Sequence, residues 1–318
     1  MLIGQSFPEY RKAAVRQADY LVNKAMRFKI NDTKFAISHR DDPPEAWGDF
    51  VYMVPPFLAY HAVATGNSSY MTEAVQQCRL YNEILRTLIT LPDGSQCHGL
   101  WHHIVTQPPS IDPSVCCTDP DVWLTSNSWA LAGMTRVLVT VMTWKSPYSN
   151  VVARLSYDAF RKVAIDNLRQ LIGGMLQCLM AQSRDPNTGL LRNYLDLGAG
   201  HTMDWQYGDA AGTAMVTAAT YRLMVLDPDL LTTDKYLAWA EENYRVVAKH
   251  VKSDGLLSPV ARVDEVPARS PAEHTGEGQS MLIMMYAARR DCVESGRCSK
   301  TVLHTFQRIL DNLRSTMF

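Results

Sequence analysis

Asp49 stands two residues after Trp47, at the entrance to a long apolar stretch, "WGDFVYMVPPFLAYHAV" (47–63). A carboxylate placed there costs desolvation energy unless it has a purpose. A basic pair, His39 and Arg40, stands just upstream. Farther on, Trp123 and Trp129 flank "LTSNS", and His102 and His103 close the short piece "GLWHH". Indole faces pack on the C–H faces of a pyranose ring. Amides and acids meet its hydroxyls, and an arginine fork suits a carboxylate such as a uronate. Gathered at one place, these residue types would bind a sugar. Scattered, each has a plainer use. Asp49 in a first helical turn complements the helix dipole. Arg40 pairs with Asp41 or Asp42, His103 is a structural histidine and Trp129 fills core. Asn127 caps its helix, Glu277 in "TGEGQSM" reads as a capping acid and Asp209 in "GDAAGT" as an N-cap.

Other chemistries are absent from the sequence. No phosphate-binding glycine loop, no H-E-x-x-H and no G-x-S-x-G occurs. His102-His103 and Cys116-Cys117 lack the spacing of zinc ligand pairs, so neither a metal nor a cofactor is expected. The 318 residues are 47% hydrophobic and 20% charged, with a formal net charge of −1, enough for a large globular core. No charge run points to nucleic acid, and no apolar stretch reaches the roughly 18 residues of a membrane span. Neither partner is expected. Of seven cysteines, Cys97 lies one loop before Cys116-Cys117, and Cys292 and Cys298 bound "VESGR". Loops bounded by cysteines suit disulfides and an oxidising compartment, and the odd count leaves a thiol over. Glycosylation sequons at Asn31 and Asn67 fall in expected loops. A secreted or extracellular location is expected. "MLIGQSFPEYRKAAVRQADYLVNKAM" does not read as a signal peptide, which keeps a cytoplasmic one open.

The elements that position these residues repeat. A Gly-Leu turn and a short extended piece recur as "HGLWHHI" (98–104), "TGLLRNYL" (188–195) and "DGLLSPVA" (254–261), with "FAISHR" (35–40) a degenerate first copy. After each comes a loop and an apolar helix rich in small residues, at 47–63, 123–142, 209–226 and 277–290. Before each comes a more polar amphipathic helix, at 8–27, 70–90, 157–182 and 233–252, with a last one at about 300–316. Helices apolar all round are buried on most of their surface; amphipathic ones bury one stripe. An inner ring of the first kind inside an outer ring of the second satisfies both, giving an all-α toroid of helical hairpins, an α/α barrel. The expectation is one domain over 1–318, with about nine helices where a closed six-hairpin toroid has twelve, the first three being absent. The loops between outer and inner helices then gather at one mouth, where a rigid scaffold places function.

"WGDFVYMVPPFLAYHAVATGN" resembles the W-x-D-x-x-[FY]-M segment of glycoside hydrolase family 105, the unsaturated glucuronyl and rhamnogalacturonyl hydrolases, in its fungal form. "GLWHH", "WLTSNSWALAGMTRVL", "DAAGTAM" and "GEGQSMLIMMYAARRD" are similar to later family segments, so the resemblance runs from about residue 8 to 292. It implies an (α/α)6 barrel that removes a 4,5-unsaturated uronic acid from the non-reducing end of lyase-generated oligosaccharides, of rhamnogalacturonan, pectin or ulvan type. Asp49 corresponds to the acid that protonates C4 of the enol ether and helps water add at C5. Burial beside Trp47 is expected to raise its pKa for that task. His39, Arg40, Trp47, Met53, His103, Thr125, Asn127 and Trp129 correspond to substrate-contacting positions. Two departures stand out. Thr125 replaces an arginine common in the family, with Ser126 and Ser128 for flanking glycines. A second family aspartate, from an early segment, has no match. That second departure keeps a rival in play, a non-catalytic carbohydrate-binding or scaffold relative of the same fold. A polysaccharide lyase is a further α/α alternative.

Overall fold

Two kinds of helix alternate along the chain. The computed structural model describes residues 7–91, 94–107, 119–195, 205–231 and 234–298, and among these there are eight helices. In chain order they are α1 (Pro8–Asn23), α2 (Phe50–Thr65), α3 (Ser68–Leu85), α4 (Leu124–Thr143), α5 (Val151–Met180), α6 (Ala210–Leu226), α7 (Asp234–Lys249) and α8 (Gly276–Glu294). The even-numbered helices are inner. α4 is buried without a break from Leu124 to Thr135, and α6 from Ala210 to Tyr221. The odd-numbered helices bury a stripe; α7 does so through Tyr236, Trp239, Ala240, Tyr244 and Val247. Inner helices pack in sequence, α2 on α4, α4 on α6 and α6 on α8, and the outer helices lie against them. Small residues allow this: a Cβ on Gly133 would run into the Val51 carbonyl, so α2 and α4 meet backbone to backbone there.

The Gly-Leu repeat is a joint with constant geometry. Two residues after each glycine, Trp101, Leu191 and Leu257 bridge back to Arg86, Arg184 and Val251, beyond the ends of α3, α5 and α7. Four residues after each glycine, the carbonyls of His103, Asn193 and Pro259 accept N–H bonds from Gly48, Leu124 and Ala210. Each extended piece therefore stitches to the start of the preceding inner helix. All the inner-helix N-termini collect at one mouth.

Short strands line that mouth. β1 (Arg27–Lys29) pairs with β2 (Phe35–Ile37). β3 (Arg40–Asp41) pairs antiparallel with β4 (Pro44–Trp47), matching Arg40 with Glu45. β5 (Ile89–Thr90) and β6 (Gln96–Cys97) form a hairpin, and β7 (Ile104–Thr106) pairs with β4, setting Trp47 opposite Ile104. β8 (Val260–Ala261) pairs with β9 (Pro271–Ala272) and carries a loop over the mouth. Strand β4 is why α2 begins at Phe50 rather than at Trp47, where the apolar pattern starts.

The cysteine pattern resolves in part. Cys292 bonds Cys298 across its polar loop, as the spacing suggests, whereas Cys97 bonds Cys178 on α5 and not the vicinal pair. Cys78 is a buried free thiol. Cys116-Cys117 and the expected helix at 300–316 lie outside the described residues. Asn31 heads an exposed turn, accepting from the Thr33 and Lys34 amides, and Asn67 caps α3 through Ser69. No helix among the described residues is long and apolar enough to cross a membrane.

Candidate active site

Asp49 immediately precedes α2, yet it does not cap it. Its backbone is already helical (φ −57°, ψ −34°), and its side chain accepts no helix N–H. Instead Oδ2 accepts a 2.7 Å hydrogen bond from Ser126 Oγ, on the first turn of α4. Gly48 makes this possible, since a Cβ there would collide with Ser126 Oγ. The Asp49 side chain remains 15% exposed.

His103 stands beside it. Its Nδ1 pairs with Asp119 Oδ2 at 2.8 Å, and its Nε2 lies 3.7 Å from Asp49 Oδ2. That Nε2 is buried with no hydrogen-bond partner among the described residues. A buried, unpaired polar atom just beyond hydrogen-bond distance of a carboxylate is costly for stability and useful at a site of proton transfer. Asp119 is itself held: Tyr194 donates its hydroxyl to Oδ2 at 2.5 Å, and the Asp121 N–H reaches Oδ1. The imidazole is clamped between Trp123 (centroids 4.5 Å apart) and the edge of Trp47 (5.4 Å).

Trp47 donates its indole N–H to Glu45 Oε2 at 2.6 Å. His39 stacks on the same indole at 4.8 Å and the Arg40 guanidinium lies over it at 4.9 Å. Burial, opposed by Asp49 and reinforced by Arg40, pulls the His39 pKa down to about 4, so its ring is neutral at ordinary pH. Opposite, Trp129 donates its N–H to Glu277 Oε1 at 2.6 Å from the first turn of α8. Burial pushes the Glu277 carboxyl up to about 7; the indole bond works against this, and the charges of Asp49 and Asp209 add to it.

Between these groups is a cavity of about 290 Å³, walled by Trp47, Asp49, Met53, His103, Trp123, Trp129 and Glu277, with Val263, Glu265 and Val266 of the β8–β9 loop above. It sits at the small end of ligand pockets, which run from roughly 300 to 1,000 Å³.

Of the positions named from the sequence, Trp47, Asp49, Met53, His103 and Trp129 meet here. His39 and Arg40 stand against Trp47, outside the cavity wall. Two positions need correction. Thr125 is buried and spends its hydroxyl on Asp209, at 2.7 Å. Asn127 is buried and neither caps α4 nor meets the cavity. Its amide holds both the N–H and the carbonyl of Trp101, and Trp123 occupies the cap position. The capping role expected of Glu277 belongs to Thr275, whose hydroxyl accepts the Gly278 N–H. Glu277, which the sequence read as a capping acid, is thus a cavity carboxyl raised by desolvation. Asp119 and Tyr194 carried no local signal: Asp119 reaches His103 from the loop before α4, and Tyr194 reaches Asp119 from the extended piece of the next repeat.

The sequence profile described as Glycosyl Hydrolase Family 88 matches residues 4–289. The chain belongs to glycosyl hydrolase family 88. Solved structures agree in fold. A possible family 105 member from Salmonella enterica serovar Paratyphi A superposes on 90% of this chain and 67% of its own, with a TM-score of 0.64 and 18% identity. A family 105 glycoside hydrolase from C. acetobutylicum covers 91% of this chain and 77% of its own, at a TM-score of 0.63 and 16% identity. The unsaturated glucuronyl hydrolase of Bacillus sp. GL1, which degrades glycosaminoglycan, matches with a TM-score of 0.55 and 13% identity over 90% of this chain and 70% of its own. No curated protein matches the chain. The motif resemblance pointed to family 105. The profile is that of family 88, and both lead to the (α/α)6 toroid, to which this family 88 chain conforms.

Proposed function

We propose that this protein hydrates the enol-ether double bond of a 4,5-unsaturated uronic acid at the non-reducing end of an oligosaccharide, releasing that sugar. One observation carries the reading: Asp49 is a carboxyl kept free of helix capping inside an indole-walled cavity, with the unpaired His103 Nε2 at 3.7 Å. Asp49 delivers its proton to C4, and water adds at C5 as its own proton passes to the Asp49 carboxylate. The carboxyl is thereby restored. The C5 hemiketal opens as C5–O5 breaks, its C5 hydroxyl becoming the ketone and passing its proton to O5. The hemiacetal so formed at C1 collapses to an aldehyde, and that proton leaves with the glycosidic oxygen of the next sugar. A sugar ring fits between Trp47, Trp123 and Trp129, and the cavity has room for about one. The solved neighbour acting on unsaturated glucuronyl chains supports the substrate class. The two disulfides among the described residues support a place in an oxidising, extracellular setting.

A second reading has its own support. Most glycosidases use two carboxyls, one protonated, and Glu277, with its pKa near 7, faces the same cavity as Asp49. The two readings part on substrate. Purified protein is mixed with lyase-generated disaccharides from rhamnogalacturonan, ulvan and glycosaminoglycan, and ultraviolet absorbance of the double bond is followed. The hydration reading requires loss of absorbance and no action on saturated aryl uronides. Cleavage of the saturated uronides with absorbance intact favours the two-carboxyl reaction, and inactivity on both favours a carbohydrate-binding relative.

A further inference from the structure

A uronate carries a full negative charge into a cavity that is already acidic. Asp49, Glu265 and Glu277 line it, and among the described residues of its wall none is Lys or Arg. Thr125 is turned away to Asp209. Arg40 is stacked on Trp47 outside the wall, and His103 is committed to Asp119 on one side and faces Asp49 on the other. Like charges in a partly desolvated site repel strongly, so the ligand's carboxylate needs a donor.

We propose that Glu277, carrying its proton, is the residue that receives the uronate carboxylate, donating from the oxygen that Trp129 does not hold. This inference rests on the ligand class of the preceding reading and adds the residue that selects it. The geometry favours it in three ways. The Trp129 indole fixes Oε1 at 2.6 Å, and Trp129 is itself packed on Tyr52 at 4.4 Å, so the carboxyl plane is held. Thr275 does the capping of α8, which frees the Glu277 side chain for the cavity. Oε2 has no partner among the described residues, and an O–H to a carboxylate is among the stronger hydrogen bonds. Burial is the first cause of the proton Glu277 retains; Asp209, just before α6, adds to it, and so does Asp49 whenever that carboxyl is ionised. His103 is the wall's one basic side chain, and it sits on the Asp49 side. With its carboxyl pushed up to about 7, Glu277 is a donor in mildly acid solution and a repelling charge in alkaline solution.

The test measures binding apart from turnover. Calorimetric titration with a saturated methyl galacturonide and with its neutral methyl ester is run at pH 6 and pH 8, beside KM for an unsaturated disaccharide. Affinity scales with the protonated fraction, so the uronate is expected to bind about tenfold more weakly at pH 8 than at pH 6, with the ester unchanged. Glu277→Gln keeps an acceptor for the indole and an N–H donor for the ligand. It is expected to hold uronate affinity within about threefold, flat across that range, while Glu277→Ala loses it at both pH values. Wild-type uronate binding that ignores pH overturns the proposal. So does a Gln variant as weak as Ala at pH 6, or one whose kcat collapses with KM intact, which would make Glu277 the proton donor. If the binding pattern appears without absorbance loss on any unsaturated substrate, the uronate assignment stands and the hydration reading falls. Turnover without the pattern has the opposite meaning.

Discussion

Asp49 and Asp209 each stand one residue before an inner helix, at equivalent points of two copies of the repeat. Asp209 is fully buried and accepts N–H bonds from Ala211, Gly212 and Ala261 and the hydroxyl of Thr125. Asp49 caps nothing, stays partly exposed, takes one hydroxyl from Ser126 and looks at an unpaired histidine nitrogen. The difference lies in the next repeat's contribution. At Asp209 the following extended piece supplies a backbone donor, Ala261. At Asp49 it supplies the side chain of His103. A carboxylate whose bonds are all made holds structure, and one left a bond short beside an open cavity is available for chemistry.

The largest effect expected from breaking this comparison is at Asp49. Asp49→Asn keeps the Ser126 hydrogen bond and removes the transferable proton. A fall in kcat of about 10²–10⁴-fold with little change in melting temperature is expected, read by absorbance kinetics and calorimetry. Asp209→Ala is expected to reverse the profile. Losing a cap and stranding buried donors costs about 3 kcal/mol, a fall in melting temperature of roughly 4–5 °C, with kcat of the folded fraction within about threefold. A silent Asp49 or a catalytically dead but stable Asp209 variant would invert the assignment. The smallest of the three sharpens it at His103. Asp119→Asn can turn a donor toward Nδ1 and so exchange the imidazole tautomer. The expectation is a loss of tenfold or somewhat more in kcat, with the ¹⁵N shifts of His103 exchanging their N–H and bare-nitrogen values. Unchanged shifts together with unchanged kcat would confine Asp119 to a structural part.

Much of this was legible in the sequence. The small-residue, all-round apolar pattern placed the inner helices to within a few residues, because burial on every side leaves no polar face to misread. The Gly-Leu turns gave the repeat, and with it the convergence of Trp47, Asp49, His103 and Trp129. What stayed hidden depends on side-chain direction. Thr125 and Asn127 lie one turn or less from the cavity on α4, but the rotation of that helix points them at Asp209 and at Trp101. Glu277 has the sequence setting of a cap, and only the competing Thr275 hydroxyl shows that it is not one. Asp119 meets His103 across a backbone bridge, Ile104 N–H to the Asp119 carbonyl, which no spacing rule reports. The Ser126 substitution looked like a loss of a family glycine, yet its hydroxyl is the one side-chain donor on Asp49 among the described residues.

The most direct test of the central claim is to run the reaction in D₂O on an unsaturated disaccharide and read the released uronate by NMR. Proton delivery from a fixed Asp49 to C4 requires one deuterium at a single diastereotopic position of C4, together with disappearance of the double bond. Release of a sugar that still carries the double bond, or deuterium spread over both C4 positions at the earliest times, before enolisation beside the C5 ketone exchanges them, would contradict it.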